Sequence, residues 1–491
     1  MTLEVTNTLT GEKEPFEPRD PDDVCLYLCG LTVSDRAHLG HARTWVHTDA
    51  IHRWLEHEGY GVRHVENFTD VNEKIVARVG EDGDSEADVA RSYITDTIAD
   101  MRSLNLLRAD VYPRVSEHVP EIIDLIETLV EKEYAYEADS SVYFDVTAFE
   151  DYGTLSNQAV DEMEAQDDGH GEKRHPADFA LWKAGGVSAD EVDEHRHEGA
   201  APAAEAAATA ETWSSPWGEG RPGWHIECSA MSTTHLDDTI DMHVAGQDLV
   251  FPHNENEIAQ AEAATGEQFS RYWLHVRLLE TEGEKMSSSL RNYFTVENAV
   301  ETFGTDAVRM FLLSTAYDSR QTYSEAAIDE AVERWERLER AYERAVEAAD
   351  SVAARTKVAD DTLREAIEAA RTDFAAAMND DFNTRAASSA LLELASAVNS
   401  HTDEREEYDY RALHDAIDVF EDLAGDVLGF TFGQERESDV GVAGDLVEML
   451  LNVREQERAD GNYDRADALR DELESLGVEV QDTDEGPTYR L

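Results

Sequence analysis

An apolar run followed closely by a helical pattern limits this chain to a small group of folds. Residues 24–29 (Val-Cys-Leu-Tyr-Leu-Cys) are typical of a buried strand, and from His38 the apolar spacing becomes helical. Residues 62–68 predict a second strand. Strand, helix and strand in this order indicate an α/β fold with a parallel sheet. Because ligands bind beyond the carboxyl ends of such strands, Cys29 and Thr69 are placed where a site is expected.

Helical stripes dominate the chain from about residue 325. Apolar residues at spacings of three and four, from Ile328 to Val346, fall on one helical face. The same spacing recurs in three later segments: 363–378, 387–398 and 413–423. We therefore predict a bundle of about four helices over residues 321–432. A small unit follows over 433–491, and its predicted elements are two helices and a strand: near 446–458, 464–476 and 478–480.

Residues 187–212 interrupt the ordered pattern. An acidic stretch there leads into an alanine-rich run over residues 200–210, before ordered sequence resumes at Trp213. This composition is typical of a low-complexity insertion. We expect the segment to be exposed and mobile and to carry no catalytic role.

The charge of the chain is extreme. It has 108 Asp and Glu against 41 Lys and Arg, a net charge of −67, and only seven of the basic residues are lysines. Such a charge repels nucleic acid in ordinary cytoplasm, but at ~1 M salt the Debye length falls to about 3 Å. We interpret the composition as adaptation to a salt-rich cytoplasm. The alternative is an acidic protein that binds cations or basic proteins, and the even spread of acids along the chain favours the first interpretation.

Several classes of protein are excluded by simple patterns. No stretch approaches ~20 consecutive apolar residues, so no transmembrane helix is expected. Residues 1–18 lack the basic and then apolar pattern of a signal peptide. Three cysteines do not make a disulfide framework. We expect a reduced, cytoplasmic protein with a core of normal size.

The sequence His38-Leu39-Gly40-His41 stands at the start of the first predicted helix. Histidines at positions i and i+3 lie on the same helical face. Gly40 permits close approach to the backbone, and a helix N-terminus offers N–H groups and positive potential to a phosphate. Two ordinary surface histidines are the alternative, and the tetrapeptide alone does not decide between them.

Lys285 lies in the sequence Gly283-Glu284-Lys285-Met286-Ser287-Ser288-Ser289. A compact ammonium group followed by three hydroxyls suits a loop that meets phosphates. Without further support, a polar surface loop is the simpler interpretation.

Cys228 and the pair His253 and Glu257 form a third pattern. His253 and Glu257 are four residues apart and share one face of a helix, so with Cys228 they give three candidate zinc ligands, and Cys29 would complete four. Cys25 precedes Cys29 by four residues on the strand and is a core hydrophobe by this interpretation. Local spacing does not show that Cys29 approaches Cys228, and Cys228 could be another buried thiol.

In combination these segments resemble the cysteinyl-tRNA synthetases, a family of the class I aminoacyl-tRNA synthetases. The resemblance covers nearly the whole chain outside the insertion. It rests on these segments: Cys29-Gly30-Leu31-Thr32-Val33, His38 to Arg43, Asn67-Phe68-Thr69-Asp70, Gly220 to Met231, Phe251-Pro252-His253, Asn256 to Gln260, Arg465 to Asp471 and Asp482-Thr483.

The resemblance implies a Rossmann-like, doubly wound parallel-sheet catalytic domain over residues 1–320. That domain would include a connective insertion at about 115–212 and a phosphate-loop region at 270–320. The helical bundle would contact the tRNA stem and anticodon, and residues 433–491 would form a small anticodon-binding domain. The implied activity is ligation of L-cysteine to tRNA(Cys) through cysteinyl-adenylate, with ATP and Mg²⁺ as substrate and one Zn²⁺ per chain. We expect a monomer and no membrane partner.

The resemblance also assigns roles to individual residues. Zinc would be held by two cysteines, a histidine and a glutamate: Cys29, Cys228, His253 and Glu257. Catalytic contacts to the phosphates would come from His38, His41, Lys285 and Ser288. Cysteine and ATP would be bound by Gly30, Thr69, Trp224, His243, Gly246, Asp248 and Arg291, with Asp248 near the ribose. Zinc prefers sulfur to the oxygen of serine, so an editing domain would not be needed.

Three departures from the family pattern bear on these roles. The family has a second lysine where this chain has Ser288, and we expect Arg291 to replace its charge. Val244-Ala245 stands where the family has glycines, and Asn254 replaces a second histidine beside His253.

Two other functions stay open at this point. One is a related zinc-dependent ligase that joins cysteine to an amino sugar through the same adenylate. About 160 residues of helical bundle and C-terminal unit argue against it, because a small amine needs no such reach. The other is a zinc-stabilised binding module, which leaves the histidine pair and Lys285 unexplained.

Overall fold

The computed structural model describes residues 2–160, 173–197, 199–281 and 294–432, together with a few further positions: Met163, the backbone of Glu284–Lys285, Arg454, Arg465, Leu469 and residues 479–483 and 486–490. The chain divides into two compact units, Met1–Phe430 and Thr431–Leu491.

The described strands follow in chain order: β1 Glu4–Asn7, β2 Glu12–Pro15, β3 Val24–Leu28, β4 Val62–Glu66, β5 Ala135–Ala138, β6 Ser141–Phe144, β7 Phe179–Ala184, β8 Trp213–Ser215, β9 Gly218–Pro222, β10 Ile240–Gly246, β11 Ser270–Val276, β12 Leu279–Thr281, β13 Glu284–Lys285, β14 Gln321–Tyr323, β15 Ala354–Arg355, β16 Tyr408–Asp409, β17 Glu479–Thr483 and β18 Gly486–Arg490. The described helices are: α1 Leu39–His57, α2 Glu73–Val76, α3 Glu86–Ser103, α4 Val119–Glu131, α5 Ala189–His195, α6 Ala203–Ala207, α7 Trp224–His235, α8 Glu255–Thr265, α9 Val296–Phe303, α10 Thr305–Leu313, α11 Glu325–Asp350, α12 Asp361–Met378, α13 Thr384–Glu404 and α14 Tyr410–Val419.

A four-stranded parallel sheet in the order β11-β10-β3-β4 organises the first unit. Every residue of β3 is buried, as expected for a central strand covered on both faces. The predicted strands at 24–29 and 62–68 are confirmed as β3 and β4, each slightly shorter than predicted. This shortening leaves Cys29 and Thr69 just beyond the strand ends, at the carboxyl edge of the sheet. The predicted α/β fold, doubly wound about a parallel sheet, is therefore confirmed.

A second, five-stranded sheet lies in the connective region, in the order β5-β6-β7-β9-β8. Its neighbouring strands pair antiparallel. Its apolar side packs on α4 through Ile122, Ile126 and Leu129, which follow one helical face. Strand β9 runs directly into α7 and so fixes where Cys228 enters the site.

The segment over residues 187–212 contains ordered elements, and the prediction that it is exposed is wrong for several of its residues. Ser188 and Glu191 form reciprocal hydrogen bonds that begin α5. Val192 and Ala206 are buried. The backbone N–H of Ala201 donates to the carbonyl of Val79 at 2.9 Å. Acidic and alanine-rich composition did not reveal these contacts, because a few small buried side chains and single hydrogen bonds supply them rather than an apolar stripe.

The predicted bundle is confirmed as α11 to α14, with α14 continuing as a wider helical turn through Phe420–Val427. Side-chain caps begin the helices: Ser324, Asp360, Asn383 and Asp409 each accept a backbone N–H. The predicted apolar stripe on α11 is buried at Ile328, Trp335 and Leu338.

In the second unit, the predicted strand near 478–480 is confirmed as β17, which pairs antiparallel with β18. The helices predicted at 446–458 and 464–476 lie outside the described residues except for three positions, Arg454, Arg465 and Leu469, which are helical. Within the described ranges, none of the helices is both long and apolar enough to cross a bilayer.

Candidate active site

A cavity of about 610 Å³ opens at the carboxyl edge of the parallel sheet. Ten of the predicted site residues line it: Cys29, Gly30, His38, His41, Thr69, Trp224, Cys228, Gly246, Asp248 and His253. Loops and helix starts that follow β3, β4, β9 and β10 contribute these side chains. The sheet therefore gathers residues that are more than 200 positions apart in the sequence.

Four buried side chains converge at one side of this cavity. Cys29 follows β3, Cys228 lies on α7, His253 precedes α8 and Glu257 lies on it. Their candidate ligand atoms all lie within 4.8 Å of one another. The Sγ atoms of Cys29 and Cys228 are 3.8 Å apart, and Cys29 Sγ is 3.4 Å from His253 Nε2. Such a cluster needs either a shared proton or a cation to hold it together.

The cluster fits a zinc ion. Two thiolates on one tetrahedral zinc stand ~3.8 Å apart, and a thiolate and an imidazole nitrogen stand ~3.5 Å apart. A disulfide would need about 2.05 Å between the sulfurs, and all three cysteines are free. Glu257 Oε1 is buried and has no hydrogen-bond partner among the described residues, as expected of an oxygen that coordinates a metal ion when one is bound. Two soft sulfurs, one imidazole and one carboxylate form a donor set that zinc accepts.

The two cysteines titrate as a pair. The hydrogen bond from Cys29 lowers the pKa of the Cys228 thiol to about 6, and His253 acts in the same direction. The same contact raises the pKa of Cys29 well above its ordinary value. One thiolate is therefore available near neutral pH, and a metal ion would replace the shared proton.

Glu257 is held from the side that faces away from the cluster. Its Oε2 accepts a hydrogen bond from Asn254 Nδ2 at 2.5 Å and lies 3.3 Å from His243 Nε2. Burial alone would raise the pKa of Glu257, but the neighbouring His243 and His253 outweigh burial and lower it. Glu257 is thus an anionic candidate ligand with a fixed orientation. Asn254, next to His253 in the chain, also lies 3.0 Å from His275 Nε2 through its Oδ1.

His253 is oriented by a second histidine. Its Nδ1 lies 3.0 Å from Nδ1 of His225, which is buried. Burial lowers the pKa of His225 well below its usual value, so this ring is neutral and can accept a proton from His253 Nδ1–H. When the His253 ring is neutral, that tautomer leaves the lone pair of Nε2 directed at the cluster.

His38 and His41 stack at the start of α1, with ring centroids 3.9 Å apart. His38 Nδ1 accepts from the N–H of Gly40 at 3.0 Å, and His41 Nδ1 accepts from the N–H of His38 at 3.3 Å. In the neutral rings the proton therefore resides on Nε2, which makes Nε2 the donor. A Cβ on Gly40 would lie 2.7 Å from the His38 ring, so glycine is needed at this position.

The backbone N–H groups at the start of α1 are not free, contrary to the expectation from sequence. Leu39 donates to the carbonyl of Phe294, Gly40 to the His38 ring, and His41 and Ala42 to the carbonyl of His38. A phosphate at this helix would therefore meet the imidazoles and the positive helix potential rather than unpaired amides.

Asn67 is a residue of the site whose role the sequence did not indicate. Its Oδ1 accepts from the hydroxyl of Tyr27 at 2.8 Å and from the N–H of Gly30 at 2.9 Å. Its Nδ2 donates to Thr69 Oγ1 at 3.4 Å. A Cβ on Gly30 would lie 1.6 Å from the carbonyl oxygen of Asn67. Asn67 therefore fixes both Gly30 and Thr69, and only glycine fits between the two strand ends.

His243 does not lie where an ATP contact was predicted. It is fully buried in β10, stacked on Trp273 with ring centroids 4.1 Å apart, and faces Glu257. Alternation along β10 turns this side chain to the face of the sheet on which Glu257 lies. Gly246 and Asp248, at the end of the same strand, do line the cavity.

The phosphate-loop residues are only partly described. The backbone of Lys285 pairs antiparallel with Glu280 in β12, while Ser288 and Arg291 lie outside the described residues. Arg43, on α1, connects that helix to residues on either side of the phosphate loop. The Arg43 guanidinium donates to the carbonyl of Arg277 at 2.9 Å and to that of Ser319 at 2.8 Å.

Comparison with known proteins places the chain among well-defined relatives. The family described as "tRNA synthetases class I (C) catalytic domain" matches residues 15–333. A DALR domain matches residues 373–433, and a "Cysteinyl-tRNA ligase anticodon binding domain" matches residues 444–490.

Curated relatives match over their full length. A cysteine–tRNA ligase of Haloarcula marismortui is 70% identical over 100% of both chains. The cysteine–tRNA ligase of Halobacterium salinarum is 66% identical over 100% of both chains. That of Thermococcus onnurineus is 41% identical over 100% of this chain and 99% of the relative. Among solved structures, methionyl-tRNA synthetase of Mycobacterium tuberculosis with methionyl-adenylate superposes with a TM-score of 0.61. At 16% identity, over 86% of this chain and 96% of that one, this likeness shows the fold alone.

Proposed function

The chain belongs to the cysteine–tRNA ligases, a family of class I aminoacyl-tRNA synthetases, and on that premise we propose which of its residues carry each part of the reaction. The enzyme activates L-cysteine with ATP and transfers the cysteinyl group to tRNA(Cys). The observation that carries the residue assignment is that one cavity is lined both by the stacked pair His38 and His41 and by three members of the four-residue cluster, Cys29, Cys228 and His253.

Cys29, Cys228, His253 and Glu257 would hold one Zn²⁺. When bound, the ion supplies a soft Lewis acid that favours the thiolate of the substrate over the hydroxyl of serine. The chain's own residues prepare this site: Asn254 and His225 orient two of the ligands. Thr69 and Trp224 line the adjoining wall, and the Trp224 ring lies 4.5 Å from that of His253. They would enclose the body of the bound cysteine.

In the first step the cysteine carboxylate attacks the α-phosphate of ATP, and pyrophosphate leaves. Little covalent chemistry is needed from the protein, which positions the reactants and stabilises developing charge. Nε2–H of His38 and of His41 would donate to the phosphates, and the positive end of α1 adds to their effect. Lys285 would neutralise the leaving pyrophosphate. Mg²⁺ would accompany the nucleotide.

A second positive side chain at the pyrophosphate, beside Lys285, is assigned from sequence alone. Ser288 stands where the family has a second lysine, and loss of one such donor costs ~3 kcal/mol of transition-state stabilisation. Arg291 would restore this charge. An Arg291→Ala variant with an unchanged rate of adenylate formation would remove that assignment.

Gly246 and Asp248 would bind the adenosine from the end of β10, with the Asp248 carboxylate near the ribose hydroxyls. Gly30 would let the nucleotide approach the backbone at the end of β3. In the second step a ribose hydroxyl of the 3′-terminal adenosine of tRNA(Cys) attacks the carbonyl carbon of cysteinyl-adenylate, the bond from that carbon to the phosphate oxygen breaks, and AMP leaves.

The helical bundle over 321–432 and the region over 433–491 would bind the stem and anticodon of the tRNA. The matches to the DALR domain and to the anticodon binding domain support this division. The ligase that joins cysteine to an amino sugar gains no support from any comparison. We propose that the enzyme works as a monomer in the cytoplasm, with tRNA(Cys), L-cysteine and ATP as partners and no membrane.

Two assays in molar KCl test this function. Cysteine-dependent exchange of pyrophosphate into ATP measures the first step, and charging of tRNA(Cys) measures the second. Exchange without charging would favour a ligase for a small amine, and the absence of exchange with cysteine would reject the proposal.

A further inference from the structure

Residues Glu194–His197, within the segment that looked like an acidic insertion, line the same cavity as Cys29 and His38. Arg78 holds this stretch in place. Its guanidinium makes two hydrogen bonds to the Asp35 carboxylate, at 3.3 and 2.9 Å, and also donates to the carbonyl oxygen of His195. The Arg78 side chain is only 6% exposed, so its hydrogen bonds are shielded from solvent.

A second contact supports the same stretch. The His197 ring lies between two carboxylates, 3.9 Å from Asp35 Oδ1 and 3.6 Å from Glu81 Oε2. The backbone pairing of Ala201 with Val79 follows directly. The segment is therefore docked at several points on the stretch after α2, and Asp35 precedes His38 by only three residues.

Two cationic side chains, Lys74 on α2 and Arg196 in the docked segment, line the cavity. Lys74, one of the seven lysines, is exposed and lines the cavity, and among the described residues its ammonium group has no hydrogen bond or ion pair. Arg196 also lines the cavity and is fixed by Asp193 at 3.2 Å and by the carbonyl of Ala200 at 3.4 Å. Ammonium and guanidinium groups are donors without acceptors, and they suit phosphate oxygens.

We propose that Lys74 and Arg196, the latter within the docked stretch 194–197, form a phosphate-binding rim of the active site, distinct from the contact made by His38 and His41. This inference rests on the proposed function, since both ATP and the 3′ end of tRNA bring phosphates to this cavity. An unpaired lysine at the cavity of a chain with a net charge of −67 is the observation that carries it. The segment that the sequence presented as a spacer thus supplies part of the substrate-binding surface.

Substitutions at Lys74 and Arg196 test the rim. We would compare Lys74→Gln and Arg196→Gln with two controls remote from the cavity, Lys357→Gln and Arg91→Gln. Loss of one charge-assisted contact should raise the KM for either ATP or tRNA(Cys) about tenfold. Lys74→Arg should restore most of the effect because it keeps the charge. Both assays are run in molar KCl, and melting temperatures confirm that each variant is folded.

The two assays separate the source of the phosphate. If the rim binds ATP, the KM for ATP in pyrophosphate exchange rises. If it binds the 3′ end of the tRNA, exchange is unchanged and the KM for tRNA(Cys) rises. If the Lys74→Gln variant is folded and both of its KM values are within twofold of those of the wild type, the proposed phosphate-binding rim is rejected. A wild-type protein without cysteine-dependent exchange would instead overturn the proposed function. Because Lys74 is exposed, its variant stays informative even if Arg196→Gln fails to fold.

Discussion

The Sγ atoms of Cys29 and Cys228 lie 3.8 Å apart although 199 positions separate the two residues in the chain. One follows the central strand β3, and the other lies on a helix that begins where the second sheet ends. Their approach completes the buried cluster with His253 and Glu257.

Replacing Cys228 by serine should empty this cluster of zinc. A hydroxyl does not replace a thiolate for a soft ligand set, so we expect at least a hundredfold loss of zinc affinity and a marked loss of selectivity for cysteine over serine. Metal content after dialysis and pyrophosphate exchange with each amino acid measure both effects. Cys25→Ser is the matched control, because Cys25 contacts Arg63 and not the cluster. Equal zinc content in the two variants would refute the assignment.

Gly30→Ala should displace the residues at the ends of β3 and β4 and so disrupt the site. The added Cβ would lie 1.6 Å from the carbonyl oxygen of Asn67, so the ends of β3 and β4 must separate. We expect at least a hundredfold fall in kcat/KM for pyrophosphate exchange. Gly186→Ala adds the same methyl group at 3.6 Å from Thr212, an ordinary contact, and should keep wild-type activity and melting temperature. Similar activities for the two variants would contradict the role of Gly30.

Glu66 should make stability depend on pH. Burial raises the pKa of its carboxyl to about 8, although Trp45 Nε1 donates to it at 2.8 Å. The folded chain then keeps a proton that the unfolded chain releases near its ordinary pKa of 4.5, so stability is lost as pH rises toward 8. Between pH ~6 and ~8 the wild type should lose about 2 kcal/mol relative to Glu66→Gln. Parallel unfolding curves for both proteins across this range would show that Glu66 is charged in the fold.

Arg309 should be required for stability. It is fully buried, donates to Asp49 Oδ2 at 2.6 Å, and also donates to the carbonyls of Leu104 and Leu428. Arg309→Met leaves a buried carboxylate with one partner fewer and two carbonyls without a donor, and should cost about 3 kcal/mol. Arg91→Met removes an exposed pair with Asp88 and should change stability by less than ~0.5 kcal/mol. Denaturant unfolding in molar KCl compares the two.

The local order of the chain could be predicted from sequence. The run at 24–28, the helix that begins at Leu39 and the stripes of α11 to α14 are each encoded by apolar spacing within a few turns. The spacing of His38 and His41 likewise sets their shared face before any tertiary contact forms. The resemblance to a family then indicated which side chains to examine.

Only the tertiary structure decided which of those side chains meet. Strand β10 pairs beside β3, and this non-sequential order places His243 against Glu257 rather than in the lining of the cavity. Arg78 docks residues 194–197 at the cavity, although their composition predicted an exposed insertion. Periodicity reports what a residue does within its own helix or strand. Sheet order and the burial of single hydrogen bonds depend on residues far away in the sequence, and these contacts leave no local pattern.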